Sequence, residues 1–222
     1  MDIFKLHELF EIEVLDKMNS ARLLEPLVFG GGTMLRLCHE LNRYSADLDF
    51  WFIRKAPHEQ YFDRAQKAFE EHYEVTDAEV KRFTLLFELR SARYPKRLKI
   101  EIRRELKPCD YQKTIAFSKS STRQVLVNAH TLKQTMENKI RALLGRGEIR
   151  DCFDIEFLIR RGIDLPTCPE RVIAEIRKKI TQFEDMDFRV KLGSILEKDV
   201  RDYYIENRFS FLLEKLAAMA SK

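Results

Sequence analysis

The stretch from Phe29 to Phe52, FGGGTMLRLCHELNRYSADLDFWF, constrains this chain more than any other. Three glycines, Gly30, Gly31 and Gly32, stand directly before Thr33, and Met34, Leu35, Leu37, Cys38 and Leu41 follow at helical spacing. The stretch closes on Asp47-Leu48-Asp49-Phe50-Trp51-Phe52, whose composition predicts a strand. Side chains at i and i+2 of a strand point the same way, so Asp47 and Asp49 share a face while Leu48 and Phe50 turn into the core. The expected local structure is a flexible turn feeding a helix N-terminus, followed by a strand that carries paired acids.

Each half has a chemical use. Glycines let backbone amides approach a ligand closely, and a helix N-terminus attracts phosphate. Paired carboxylates at a strand end suit divalent magnesium, which takes oxygen ligands and keeps positions open for substrate phosphates. The competing reading is a structural glycine turn beside a solvated acidic pair. Taken singly, either piece is more often structural; their order and spacing favour a metal-dependent phosphoryl or nucleotidyl transfer site.

The glycine signature, the intervening helix and the Asp-apolar-Asp strand resemble the nucleotidyltransferase fold shared with DNA polymerase beta. The finer wording, GGT followed by Arg43, Ser45, Asp47, Leu48, Asp49 and Phe50, resembles the AbiEii/MenT-type nucleotidyltransferase toxins of bacterial toxin–antitoxin and abortive-infection systems. The glycine element varies in that family, and three glycines precede the threonine here; Gly31, Gly32 and Thr33 are taken as the phosphate-binding set. Ser45 matches a family position near the nucleotide, and equally suits a cap at the start of the strand.

With 222 residues, 45% hydrophobic and 34% charged, the chain can bury a core as one large domain or two small ones. No stretch has the roughly 18–20 apolar residues of a membrane-spanning helix, and the acid-bearing N-terminus lacks a signal-peptide core. A cytoplasmic protein without a membrane partner is expected. Cys38, Cys109, Cys152 and Cys168 are scattered, so neither zinc nor a disulfide framework is indicated. No H-E-x-x-H or G-x-S-x-G occurs, which removes common hydrolase classes. The net charge of +4 is compatible with RNA or nucleotide substrates without demanding them. Cations crowd the regions Arg90–Arg104 and Lys133–Arg150, and a solvated face accounts for such runs as well as a phosphate track does.

Residues 2–28 read as one or two helices, and Pro57 opens another reaching about His72. Val75–Lys81 is a weak strand or loop. Phe83–Leu89 and Leu98–Arg103 are better strands, the second alternating cleanly with Glu101 on the polar face between Lys99 and Arg103. In the resemblance, Glu101 is the third carboxylate beside Asp47 and Asp49; an ordinary exposed glutamate paired with either neighbour fits the pattern too. Residues 106–128 carry little signal beyond a short strand at 124–127, and the domain boundary is placed there.

From Thr131 the chain turns helical. Leu132, Met136, Ile140 and Leu143 or Leu144 form one stripe with Lys139 at its edge, ended by Gly145 or Gly147. Physics alone makes Lys139 a snorkelling lysine. The run Glu137–Leu143, then Arg146 and Arg150-Asp151-Cys152-Phe153-Asp154, resembles the family's later motifs, which implies Lys139 as a phosphate-binding lysine and an aspartate of R-D-x-x-D in the site. Asp151 and Asp154 share a helical face; spacing does not separate them, and Asp154 is taken first. Helices are expected from Pro169 to about Phe183, from Phe188 to Tyr203 and from Phe209 to Ala220.

The expected fold is α+β: a nucleotidyltransferase-like module with a small mixed sheet over residues 1–128, and a C-terminal helical module over 129–222 that completes a cleft. The catalytic set is Asp47, Asp49, Glu101, Lys139, Asp154 and Asp151, with Gly31, Gly32, Thr33, Ser45 and Lys139 on the nucleotide. Asp47, Asp49 and Glu101 would hold Mg2+ or Mn2+. The resemblance implies transfer from an NTP to an RNA acceptor, tRNA 3′ ends for some members, and a cognate antitoxin protein. A nucleotidyltransferase acting on a small molecule or a protein, or a non-catalytic binding module on the same fold, are the alternatives.

Overall fold

The computed structural model describes residues 3–220. They group into two compact units, one holding the chain up to Glu40 and Tyr44–Thr131, the other Leu41–Arg43 and the chain from Leu132 onward. The short segment Leu41–Arg43 therefore belongs with the helical unit, which the sequence reading did not anticipate. Its reason lies in Arg43, whose ion-pair partner is Asp154.

The first unit is built on α1 (Ile3–Ser20), β1 (Leu27–Gly30), α2 (Gly31–His39), β2 (Asp47–Phe52), α3 (His58–Glu70), β3 (Glu74–Val80), β4 (Thr84–Arg90), β5 (Leu98–Arg103), β6 (Tyr111–Phe117) and β7 (Gln124–His130). Asp2, the first residue of the expected N-terminal helix, lies outside the described residues. The seven strands form one mixed sheet in the order β3-β4-β5-β2-β1-β7-β6. Its centre is parallel where β2 meets β5 and where β1 meets β7, and antiparallel between β1 and β2.

Register explains which face is buried. Leu48 lies opposite Ile100, and Ile100 opposite Phe87, so these side chains fall on one face. All are buried. Phe62 of α3 stacks on Phe87 at 4.8 Å and Phe69 meets the same ring edge-on at 5.2 Å. Phe29 stacks on Phe50 at 5.0 Å, extending the same core beneath β1 and β2. Full burial of each such ring contributes roughly 1.5–3 kcal/mol. Asp47, Asp49 and Glu101 alternate with this apolar set and lie on the other face.

The stretch Val75–Lys81, read as a weak strand or loop, holds the edge strand β3 over Glu74–Val80, for which β4 supplies the hydrogen-bonding partner. One difference from expectation is physical. Strand β6 was not expected at all: YQKTIAF is mostly exposed and shows no alternation, and it is a strand through its ladder with β7.

The second unit contains α4 (Leu132–Arg146), α5 (Ile149–Arg160), α6 (Glu170–Thr181), α7 (Lys198–Asn207) and α8 (Ser210–Ala220). The single helix expected over 188–203 is broken: Asp187–Leu192 is a π turn and Gly193–Ile195 a 3₁₀ turn before α7. A Cβ on Gly193 would stand 2.8 Å from the Phe188 carbonyl oxygen, so the tightened backbone requires glycine there. The break lets Phe188 meet Phe209 at 5.4 Å, and Tyr204 meets both Phe209 and Phe153. No helix among the described residues is long and apolar enough to cross a membrane.

Candidate active site

In the first unit the acids stand as the alternation requires. Asp49 lies directly opposite Glu101 on the neighbouring strand, and Asp47 opposite Lys99. Asp47 is exposed; Asp49 and Glu101 are half-buried. The N-terminus of α2 comes close to them. Gly31 has φ +76, and a Cβ there would stand 2.5 Å from Asp49 Oδ2, so the carboxylate rests on the glycine where any side chain would displace it. Gly31→Ala is expected to cost about 1–2 kcal/mol through its left-handed backbone alone and to move Asp49. Gly145→Ala, with open space around its Cβ in α4, is expected to gain roughly 0.5–1 kcal/mol instead. Thermal unfolding of the two variants checks the contrast.

Glu101 is engaged within its own strand. Lys99 Nζ forms a close ion pair with it, and Arg103 lies 3.6 Å away. The bond to Glu101, and beyond it the charges of Asp47 and Asp49, hold the Lys99 ammonium above the ordinary lysine range. The field on this face is therefore negative enough to gather a cation, and Lys99 currently answers it. Among the described residues no group of three or more His, Cys, Asp and Glu forms a ready metal cluster. The donor set nevertheless fits a hard cation: three carboxylates on one face of two adjacent strands, with Gly31 packed against the Asp49 carboxylate.

Thr33 is fully buried, and its hydroxyl donates to the Asp47 carbonyl oxygen at 2.6 Å. Its side chain is thus committed to the protein, leaving its backbone amide, with those of Gly31 and Gly32, at the first turn of α2. Ser45 is half-buried in the loop before β2.

Sequence reasoning missed the polar side of α1. His7, Glu8, Glu11 and Glu13 are buried, although charged residues at helical spacing ordinarily read as a solvated face. Glu8 accepts from Arg36 Nε at 2.7 Å and also receives a short bond from the Ser118 hydroxyl. Among the described residues Glu11 Oε1 has no hydrogen-bond partner, and it lies 3.6 Å from His7 Nε2. Burial, then the neighbouring Glu8 and Asp47 charges, push the Glu11 carboxyl well up, so it is held neutral more readily than a free glutamate. A carboxyl whose folded value is raised weakens the fold as pH climbs from its unfolded value, near 4.3, toward the folded one. Glu11→Gln is therefore expected to raise the unfolding temperature at pH 7 by a few degrees, with the gain vanishing below about pH 4.

In the second unit the expected residues form one buried network. Asp154, fully buried, receives Arg43 Nε and Nη2, both at 2.7 Å, and Lys139 Nζ at 2.6 Å. Burial alone would raise its carboxyl, but Arg43 and Lys139 overcome it and hold it below the ordinary aspartate value. Asp151, also fully buried, receives Arg146 Nε and Nη2 at 2.8 Å each and Lys139 at 3.2 Å. Two forked arginines and a shared lysine are the strong form of carboxylate pairing. Neither aspartate is left exposed to a substrate. Both carboxylates are paired with cations of their own unit, Arg43 and Lys139 on Asp154, and Arg146 and Lys139 on Asp151. The presence of Arg43 here had a signal only in the family wording, since its partner is 111 residues away.

A family profile described as "Nucleotidyl transferase AbiEii toxin, Type IV TA system" matches residues 13–220. Among solved structures, a crystal structure from H. pylori described as a candidate nucleotidyltransferase matches with a TM-score of 0.58 at 17% identity, covering 95% of this chain and 96% of that one. JHP933 from Helicobacter pylori matches with a TM-score of 0.49 at 20% identity, over 95% and 90% of the two chains. The first of these carries the fold likeness. No curated protein sequence matches the chain.

Proposed function

Because the chain belongs to the AbiEii nucleotidyl transferase toxin family and is a nucleotidyltransferase, we propose that it moves a nucleoside monophosphate from an NTP to the 3′ end of an RNA, with tRNA as acceptor and Mg2+ or Mn2+ required. The observation that carries this reading is the acid face of the first unit: Asp47 and Asp49 at the start of β2, Glu101 opposite Asp49, and the α2 N-terminus against Asp49.

Asp47 and Asp49 would hold the metal, and Glu101 would join them on exchanging Lys99 for it. When bound, such an ion neutralises charge on the triphosphate and the leaving pyrophosphate. The amides of Gly31, Gly32 and Thr33 would meet phosphate oxygens, helped by the positive end of α2. Released from Glu101, Lys99 becomes a further phosphate contact. Lys139 uses two of its three donors on Asp151 and Asp154; its phosphate role would fall to the third.

Arg90 pairs with Glu74, Arg93 with Glu13 and Arg97 with Glu88. The Arg90 and Arg97 pairs lie at the surface and are worth at most about 1 kcal/mol, so phosphates can compete for these two cations, whereas Arg93 is held by the buried Glu13. The family's description as a type IV toxin supports a cognate antitoxin protein and action inside the cell.

The test is incubation of the purified protein with magnesium, each α-labelled NTP and total tRNA, beside Asp49→Asn. Label entering tRNA only with the unaltered protein supports the proposal and names the nucleotide. Label on a protein or small acceptor would keep the chemistry and overturn the acceptor.

A further inference from the structure

The residues that hold Asp47 in place come from two helices and from two directions. His7 Nε2 lies 2.9 Å from the Ala46 carbonyl oxygen, and the Thr33 hydroxyl donates to the next carbonyl, that of Asp47, at 2.6 Å. Two consecutive peptide groups flanking the Asp47 Cα are therefore pinned by side chains, one from α1 and one from α2. The loop before them is held as well. Tyr44 stacks on Phe4 of α1 at 4.6 Å, and the Arg36 guanidinium of α2 lies 4.6 Å from the same ring. Arg36 also bonds Glu8 of α1 at 2.7 Å. His7 and Glu8 are neighbours on α1, and Thr33 and Arg36 lie one helical turn apart on α2, so one ion pair fixes the spacing of both contacts.

From this arrangement we infer that His7 and Thr33 are positioning residues, a carbonyl clamp that sets the direction of the Asp47 carboxylate, with α1 as its support. Residues 3–12, which include His7 and Glu8, precede the segment matched by the family profile. A strand terminus otherwise frays, and a carboxylate there samples several orientations; binding a cation would then cost the ordering of that terminus. Groups behind a metal ligand typically change metal affinity 10- to 100-fold when removed. The buried, hydrogen-bonded placement of His7 and Thr33, both under 3% exposed, is what such a role needs.

The metal consequence rests on Asp47 acting as a ligand, as proposed above; the clamp itself does not. The full chain is compared with His7→Ala, His7→Gln, Thr33→Val and Thr33→Ser. Glutamine presents an amide nitrogen near the imidazole Nε2 position, and serine keeps the hydroxyl. Three readouts are needed: the carbonyl carbon shifts of Ala46 and Asp47 by nuclear magnetic resonance, Mn2+ affinity by electron paramagnetic resonance, and the unfolding temperature. His7→Ala is expected to move the Ala46 carbonyl, and Thr33→Val that of Asp47. Each should weaken Mn2+ binding about 10-fold or more, and His7→Gln and Thr33→Ser should return it to within about twofold. An unmoved Ala46 carbonyl in His7→Ala overturns the inference, as does a loss of affinity that the conservative variants do not recover. Should the unaltered chain bind Mn2+ no better than Asp47→Asn, the metal reading fails, while the carbonyl shifts still decide the clamp.

Discussion

Asp154→Ala is expected to lower the stability of the helical unit by about 3–5 kcal/mol, the range for removing one partner of a buried ion pair. The mechanism is specific. Arg43 and Lys139 are 3% and 7% exposed, and without Asp154 one guanidinium loses both of its forked bonds while the ammonium keeps only Asp151. Two cations would then be buried against too little negative charge. Thermal unfolding should show a drop of roughly 6–20 °C. Asp154→Asn keeps the shape and loses the charge, so it should fall between. The pH dependence has a definite sign. The folded carboxyl is held below its unfolded value, so its stabilisation is present above about pH 4 and is lost as pH falls through the folded value. The gap between the unaltered chain and Asp154→Asn should therefore close in acid. A variant that unfolds with the unaltered chain at neutral pH would contradict the buried network.

Asp49→Asn is expected to do the opposite: leave the fold intact and remove the activity. Asp49 is half-buried on the sheet's polar face and contributes nothing to the apolar core. Its amide replacement keeps volume and one oxygen but loses the charge that faces Lys99 and the Gly31 cradle. Nucleotide transfer should fall by at least about 10²–10³-fold, the scale for removing one electrostatic contact to a reacting group, with the unfolding temperature nearly unchanged. Paired with Asp154→Ala, it shows whether activity and stability can be lost separately. Retained transfer in Asp49→Asn would move the site elsewhere.

Local periodicity was legible in the sequence. Alternation in 47–52 and 98–103 placed Asp47, Asp49 and Glu101 on the polar face of two strands, and the register then put Asp49 opposite Glu101. Glycines before an amphipathic run marked α2, and the stripe through Met136 and Ile140 marked α4. What was not legible depended on distant partners. Strand β6 has no pattern of its own and exists through β7. His7, Glu8 and Glu11 look like a solvated helix face until β2 and α2 close over them. The surroundings of Asp154 are not written beside it either, since its partner Arg43 lies 111 residues away. The π turn at 187–192, which lets Phe188 meet Phe209, is likewise not marked by helical spacing.

The most direct test of the central claim compares two labels on the same nucleotide. The protein, magnesium and tRNA are given an NTP labelled on its α-phosphate or, in a parallel reaction, on its γ-phosphate. Nucleotidyl transfer predicts that α label becomes covalently attached to the acceptor while γ label leaves as pyrophosphate. Transfer of the γ label, or release of both labels with no acceptor modified, would contradict it.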